Sequence, residues 1–121
     1  MVPSERFPKE VRLLASPEFR HVFECKASVA DGVLVLYGAP NQLAHSRIGM
    51  AVSRKVGNAV VRNRWKRQLR EAFRNQQSQL PLGIDFVVLP RKGATPTHEA
   101  IQRSFRELAG KLARKLKGRR S

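Results

Sequence analysis

Two rhythms of apolar and polar residues divide this chain into elements. Helical spacing appears first at Phe19, Val22 and Phe23, which lie at i, i+3 and i+4. Ser16-Pro17-Glu18 precedes them: a Ser cap, a Pro at the first helical position and an acid in the first turn. Together they predict a short helix over Pro17 to Cys25. The period then drops to two. Val29, the pair Asp31-Gly32 and Val33 to Tyr37 predict strand, tight turn and strand. In the second strand Val33, Val35 and Tyr37 share one face, and Leu34 and Leu36 the other. Residues 38–46 predict a loop. Arg47 to Ser53 predicts a third strand, with Ile48, Met50 and Val52 on one face.

Helical spacing returns after a turn at Arg54 to Gly57. Asn58 is a good N-cap, and Val61, Trp65, Leu69, Ala72 and Phe73 form an apolar stripe. This helix is predicted to end near Gln77, ahead of Pro81. Gly83 precedes a fourth, largely apolar strand, Ile84 to Leu89, which Pro90 ends. Strand, helix and strand make a βαβ unit, so strands three and four are expected to be parallel. Thr97 caps a last helix with the stripe Ile101, Phe105, Leu108, Leu112 and Leu116. Residues 1–12, with Pro3 and Pro8, read as an extended arm, and 117–121 as a basic, frayed tail. The prediction is one α+β domain over residues 1–121. Its order is αβββαβα, a two-layer sandwich with one four-stranded mixed sheet.

Composition narrows the function. Hydrophobic residues make up 41% of the 121, enough for a core, so wholesale disorder is not expected. One cysteine, Cys25, can form neither an internal disulfide nor a multi-thiolate metal site, and reads as a small buried residue. No apolar run is long enough to span a membrane, and residues 1–9 hold no apolar stretch for a signal peptide. A cytoplasmic protein is expected. Lys and Arg number 24 against 9 Asp and Glu, a net +15. Such a surface attracts a polyanion, and nucleic acid is the commonest one.

The charge is phased. Arg54 to Arg74 holds eight basic residues and one acid, Glu71. Asn63, Arg67, Arg70 and Arg74 line one helix face, away from the apolar stripe, and Arg62 and Lys66 flank it. A single acid offers little i,i+4 pairing, so a bound polyanion explains the face better than solvent does. Arg54 and Lys55 stand at the N-terminal end of that helix, where free N–H groups and the dipole favour phosphate. Gly57 would let the backbone approach closely. The nine carboxylates and His21, His45 and His98 form no set at catalytic or metal-ligating spacing, so neither a catalytic nor a metal site is assigned to the chain.

The run Ser53-Arg54-Lys55-Val56-Gly57-Asn58-Ala59-Val60-Val61-Arg62-Asn63-Arg64-Trp65-Lys66-Arg67 resembles the signature of the bacterial ribonuclease P protein subunit, centred on Arg-Asn-Arg. Arg12-Leu13, the pair Phe19 and Phe23, and the downstream order of elements extend the resemblance over roughly residues 7 to 112. It implies a partner, a catalytic RNA subunit, and a substrate, precursor tRNA, whose 5′ leader is removed by magnesium-dependent hydrolysis. It further implies that the RNA holds most of the magnesium and that the protein alone is inactive. No membrane and no obligate protein partner are expected. Carried over residue by residue, Arg54, Lys55, Asn58, Arg62, Asn63, Arg64, Lys66, Arg67 and Arg70 would face the RNA subunit, and Phe19, Phe23 and Tyr37 the leader.

Some residues read two ways. Phe19 and Phe23 suit a core as well as a stacking platform for bases. Trp65 lies on the apolar stripe and reads as core. Two other functions fit the composition: a non-catalytic RNA-binding protein of the ribosomal kind, and a membrane-surface binder using the basic helix Ile101 to Lys117.

Overall fold

The computed structural model describes residues 16–94 and 97–120. The arm predicted for residues 1–12 lies outside them. Three helices and four strands follow in the order α1 (Ser16–Cys25), β1 (Ala27–Ala30), β2 (Leu34–Pro40), β3 (Arg47–Met50), α2 (Ala59–Gln76), β4 (Ile84–Pro90) and α3 (His98–Arg120). The strands form one sheet in the order β1-β2-β4-β3. β1 and β2 are antiparallel, as are β2 and β4, while β3 and β4 are parallel. The α+β class, the mixed sheet and the parallel βαβ unit are therefore as expected.

The main core lies between one sheet face and the helices α2 and α3. Leu34 and Leu36 of β2, Ile48 of β3, and Ile84, Phe86 and Val88 of β4 point into it. Trp65, Leu69, Ala72 and Phe73 of α2 meet them, with Ile101, Phe105, Leu108, Leu112 and Leu116 of α3. Both predicted stripes thus face the core, with Val61 half-buried at its edge, and Trp65 is core, although its indole N–H finds no acceptor among the described residues. Phe105 packs against Phe73 and edge-on to Phe86, ring centres 6.3 and 6.0 Å apart. The Gln76 amide clips α2 to α3 by donating to Gln102 O at 3.0 Å and Gln102 Oε1 at 2.7 Å.

A two-layer sandwich describes that half of the molecule only. Helix α1 lies on the opposite sheet face, over a second, small core of Val22, Ala39 and Val87. Strands β2 and β4 are apolar on both faces, which is why alternation alone did not reveal a second covering layer. Cys25 packs at the junction of the two cores but is half-buried, more open than expected.

Strand β2 runs three residues further than its prediction, through Gly38, Ala39 and Pro40. Gly38 suits this place, because a Cβ would crowd the buried side chains of Leu112 and Ile84. Pro40 is tolerated because β1 ends opposite Gly38, so no neighbouring strand awaits its missing N–H. Replacing Gly38 with Ala should destabilise the fold by about 1–3 kcal/mol, as expected of overpacking. Chemical denaturation of the variant checks this. Strand β3 is shorter than predicted and stops at Met50, although Ala51 N still donates to Val88 O at 2.9 Å. Helix α3 continues to Arg120 and so includes most of the basic tail.

The β1–β2 turn is tied to α3 through Asp31. Its Oδ1 accepts from Val33 N at 2.8 Å and Leu34 N at 2.9 Å, and its Oδ2 accepts from Ser104 Oγ at 2.6 Å. Burial alone would raise the Asp31 pKa. The hydrogen bonds from Ser104, Leu34 and Val33, with the nearby Lys111 charge, outweigh it and hold the carboxyl below its ordinary 3.8. A depressed pKa stabilises the fold above the unfolded-state value, and the gain is lost as pH falls through the folded-state value. The melting-point difference between the protein and Asp31→Asn should therefore be full near neutrality and shrink below about pH 4. A difference that stays constant down to pH 2 would refute this.

Candidate nucleic-acid interface

Helix α2 is positioned by its two ends and its apolar stripe. Asn58 caps it, its Oδ1 accepting from Val61 N at 3.0 Å. A single 3-10 turn, Arg54–Val56, joins β3 to this cap. At Gly57 a Cβ would stand 2.8 Å from Val61 Cγ1. That glycine therefore makes room for the helix's own side chain, which is a closer need than the ligand approach read from sequence. With Trp65, Leu69 and Phe73 buried, the opposite face of α2 points outward.

On that face Asn63, Arg64 and Arg67 are exposed, and Lys66 and Arg70 are half-buried beside them. Arg54 and Lys55 are exposed on the turn, and Asn58 is exposed at the cap. Arg62 lies half-buried on the flank, with its Nε unpaired. Neither Arg64, Arg67 nor Arg70 has an ion-pair partner among the described residues. Glu71, the one acid of the helix, faces His98 of α3 at 3.8 Å. Val60, Asn63, Arg64 and Arg67 line a shallow depression of about 260 Å³. Val60, 66% exposed, gives it an apolar wall. The arrangement offers forked donors to phosphate beside an apolar surface.

Phe19, Phe23 and Tyr37 come together on the other side of the sheet. Phe23 and Tyr37 pack edge to face, centroids 4.9 Å apart at 72°. Phe19 and Tyr37 are half-buried against Val22, Ala39 and Val87. Phe23 is 38% exposed, too open for a core ring. These rings flank the sheet surface that the short α1 covers only in part. They do not adjoin the α2 face, since the sheet stands between the two.

One group of residues escaped the sequence reading. Arg47 joins α1 to the sheet, donating from Nε and Nη2 to Asp85 at 2.8 and 2.6 Å and from Nη1 to Glu18 at 2.9 Å. Asn41 Nδ2 also donates to Asp85 Oδ1, at 2.8 Å. The hydrogen bond to Asp85, with its charge and that of Glu18, raises the Arg47 pKa despite burial. The available signal was Asp85 itself, a charge inside an apolar strand. Its partner is set by the parallel register Arg47↔Asp85, which a linear reading does not reveal.

Fold and site define a small α+β domain whose crossover helix presents a cationic outer face, with an aromatic cluster on the reverse of the sheet. A sequence profile of the Ribonuclease P family matches residues 7–113. The chain is 40% identical to the ribonuclease P protein component of Petrotoga mobilis over 93% of its length and 96% of the relative's. It is 43% identical to that of Photorhabdus laumondii, over 90% and 89%. Among solved structures, the Staphylococcus aureus ribonuclease P protein superposes with a TM-score of 0.74 at 36% identity, covering 85% of this chain and 94% of that one. The Thermotoga maritima protein gives 0.74 at 30% identity, covering 83% and 96%. The chain belongs to the ribonuclease P protein family, the protein subunits of a tRNA-processing ribonuclease.

Proposed function

We propose that this protein joins a catalytic RNA to form ribonuclease P and helps it remove the 5′ leader of precursor tRNA. The observation that carries the reading is the outward row Asn63, Arg64, Arg67 and Arg70, continued by Arg54 and Lys55 and lacking acids to neutralise it. In this reading that face takes phosphates of the RNA subunit. Arg62 and Lys66 extend it sideways. The Asn58 oxygen stays on its cap, and its amide N–H groups are left for the RNA. Phe23, with Tyr37 and Phe19 behind it, stacks on leader bases without sequence preference.

Among the described residues no group of three or more His, Cys, Asp or Glu side chains gathers, and Asp85 and Glu18 are engaged by Arg47. In the proposed assembly magnesium sits mainly on RNA, and the chain's own residues bind and orient. Protein freed of RNA should be inert on precursor tRNA with magnesium, and addition of a bacterial ribonuclease P RNA should produce a mature 5′ end. Cleavage that survives exhaustive RNA removal would sink this reading. Within the active assembly, Phe23→Ala should weaken binding of leader-bearing substrate by about 1–3 kcal/mol and leave mature tRNA unaffected. Equal losses for both substrates would remove Phe23 from the leader surface.

The ribosomal alternative lacks support from the family match. A membrane-surface role for α3 is disfavoured because its apolar stripe is buried against the sheet. Among the described residues no helix is long and apolar enough to cross a membrane.

A further inference from the structure

Helix α3 carries a second cationic stripe, which the α2 interface does not use. Opposite its buried residues run Arg103, Arg106, Gly110, Arg114 and Lys117, at spacings of 3, 4, 4 and 3. That spacing keeps all five on one line of the helix. The four cations are exposed, and none has a hydrogen-bond or ion-pair partner among the described residues. Between Arg103 and Lys117 the only acid is Glu107. Like charges three and four residues apart repel. Gly110 is unfavourable as well, because glycine inside a helix is less stable than alanine. Core packing does not require it: a Cβ there would meet only Arg114 Nη1, at an ordinary 3.6 Å. Two locally unfavourable choices thus coincide on one outward face.

We propose that this face is a second RNA-binding surface, one that lies across the minor groove of an RNA duplex. The pairs Arg103/Arg106 and Arg114/Lys117 are centred about 16 Å apart along the helix axis at 1.5 Å per residue. A-form RNA has a wide, shallow minor groove that displays 2′-hydroxyls between two phosphate strands. Each cation pair meets one strand. Gly110 stands midway, where the missing side chain lets the helix backbone settle toward the groove. Three of the four cations are arginines, whose fork suits phosphate. An anionic membrane would also attract the charge, but a notch at the centre of the stripe has no use on a flat surface. The proposal needs duplex RNA only, so it stands apart from the role given to α2.

Anisotropy titrations of the full chain with a blunt RNA duplex of roughly 20 base pairs, over a range of salt, test it. Replacing all four cations (R103Q/R106Q/R114Q/K117Q) should make the slope of log K against log salt shallower by about 3. The melting temperature should not fall. The charge-preserving variant R103K/R106K/R114K should keep most of the slope. Gly110→Ala should raise the melting temperature and weaken duplex binding. With α2 neutralised (R64Q/R67Q/R70Q), a duplex-binding component should persist that the four α3 substitutions then abolish. This result holds even if the protein fails to activate any catalytic RNA. Equal salt slopes for the parent and the four-site variant would overturn the proposal. So would a variant that loses binding to phosphatidylserine vesicles while holding the duplex unchanged.

Discussion

Replacing Arg64, Arg67 and Arg70 together with Gln is expected to weaken assembly with a ribonuclease P RNA by several orders of magnitude at moderate salt. Each guanidinium that uses both arms on a phosphate contributes about 1–3 kcal/mol. The three have no ion-pair partner among the described residues, so their removal leaves no orphan charge there and should not lower the melting point. The parent protein should show a slope of log K against log salt of roughly −4 to −5 if about six phosphates are engaged. The triple variant should be shallower by about 2 to 3. A parent slope shallower than about −1 would remove the electrostatic basis of the proposed interface.

Arg47→Met is expected to have the largest effect on stability, about 3 kcal/mol, because breaking a buried pair strands the surviving charge. Asp85 is only 3% exposed. Without Arg47 it keeps one side-chain donor among the described residues, Asn41 Nδ2. The full penalty for a buried pair is reduced here because the Arg47 side chain is itself 22% exposed. Glu18→Gln should change stability by less than about 1 kcal/mol, since that half of the bridge is 32% exposed. The double variant Arg47→Met with Asp85→Leu should recover much of the loss, as apolar replacements of buried pairs often do. Urea unfolding of the three variants separates these outcomes. An Arg47→Met protein as stable as its parent would show that the bridge does not hold α1.

Much of the helical layer was legible because its signals are local. Asn58 announces the start of α2, and the phase of Val61, Trp65 and Leu69 identifies its buried face. Arg67 and Arg70 then had to point away from it. What escaped depends on distant partners. Gly38, Ala39 and Pro40 have loop composition, and they form strand because they pair with Phe86, Asp85 and Ile84 of the distant β4. Asp85 and Arg47 lie 38 residues apart and meet through strand register. The side of the sheet chosen by α1 is set by which apolar face the two larger helices leave open. The exposure of Phe23 follows from that choice.

The 3-10 turn Arg54–Val56 directly follows β3, and β3 is an edge of the sheet. The aromatic cluster and the cationic helix thus lie on opposite sides of one sheet, with β4 and β3 between Tyr37 and the turn. A one-residue slip of β3 against β4 would turn each of its side chains to the wrong face. The Arg47–Asp85 bridge opposes such a slip. In the proposed assembly the sheet therefore acts as a jig. Whatever lies along the rings on one side is held at a fixed offset from whatever grips α2 on the other, and the place of the cut becomes a matter of measured length.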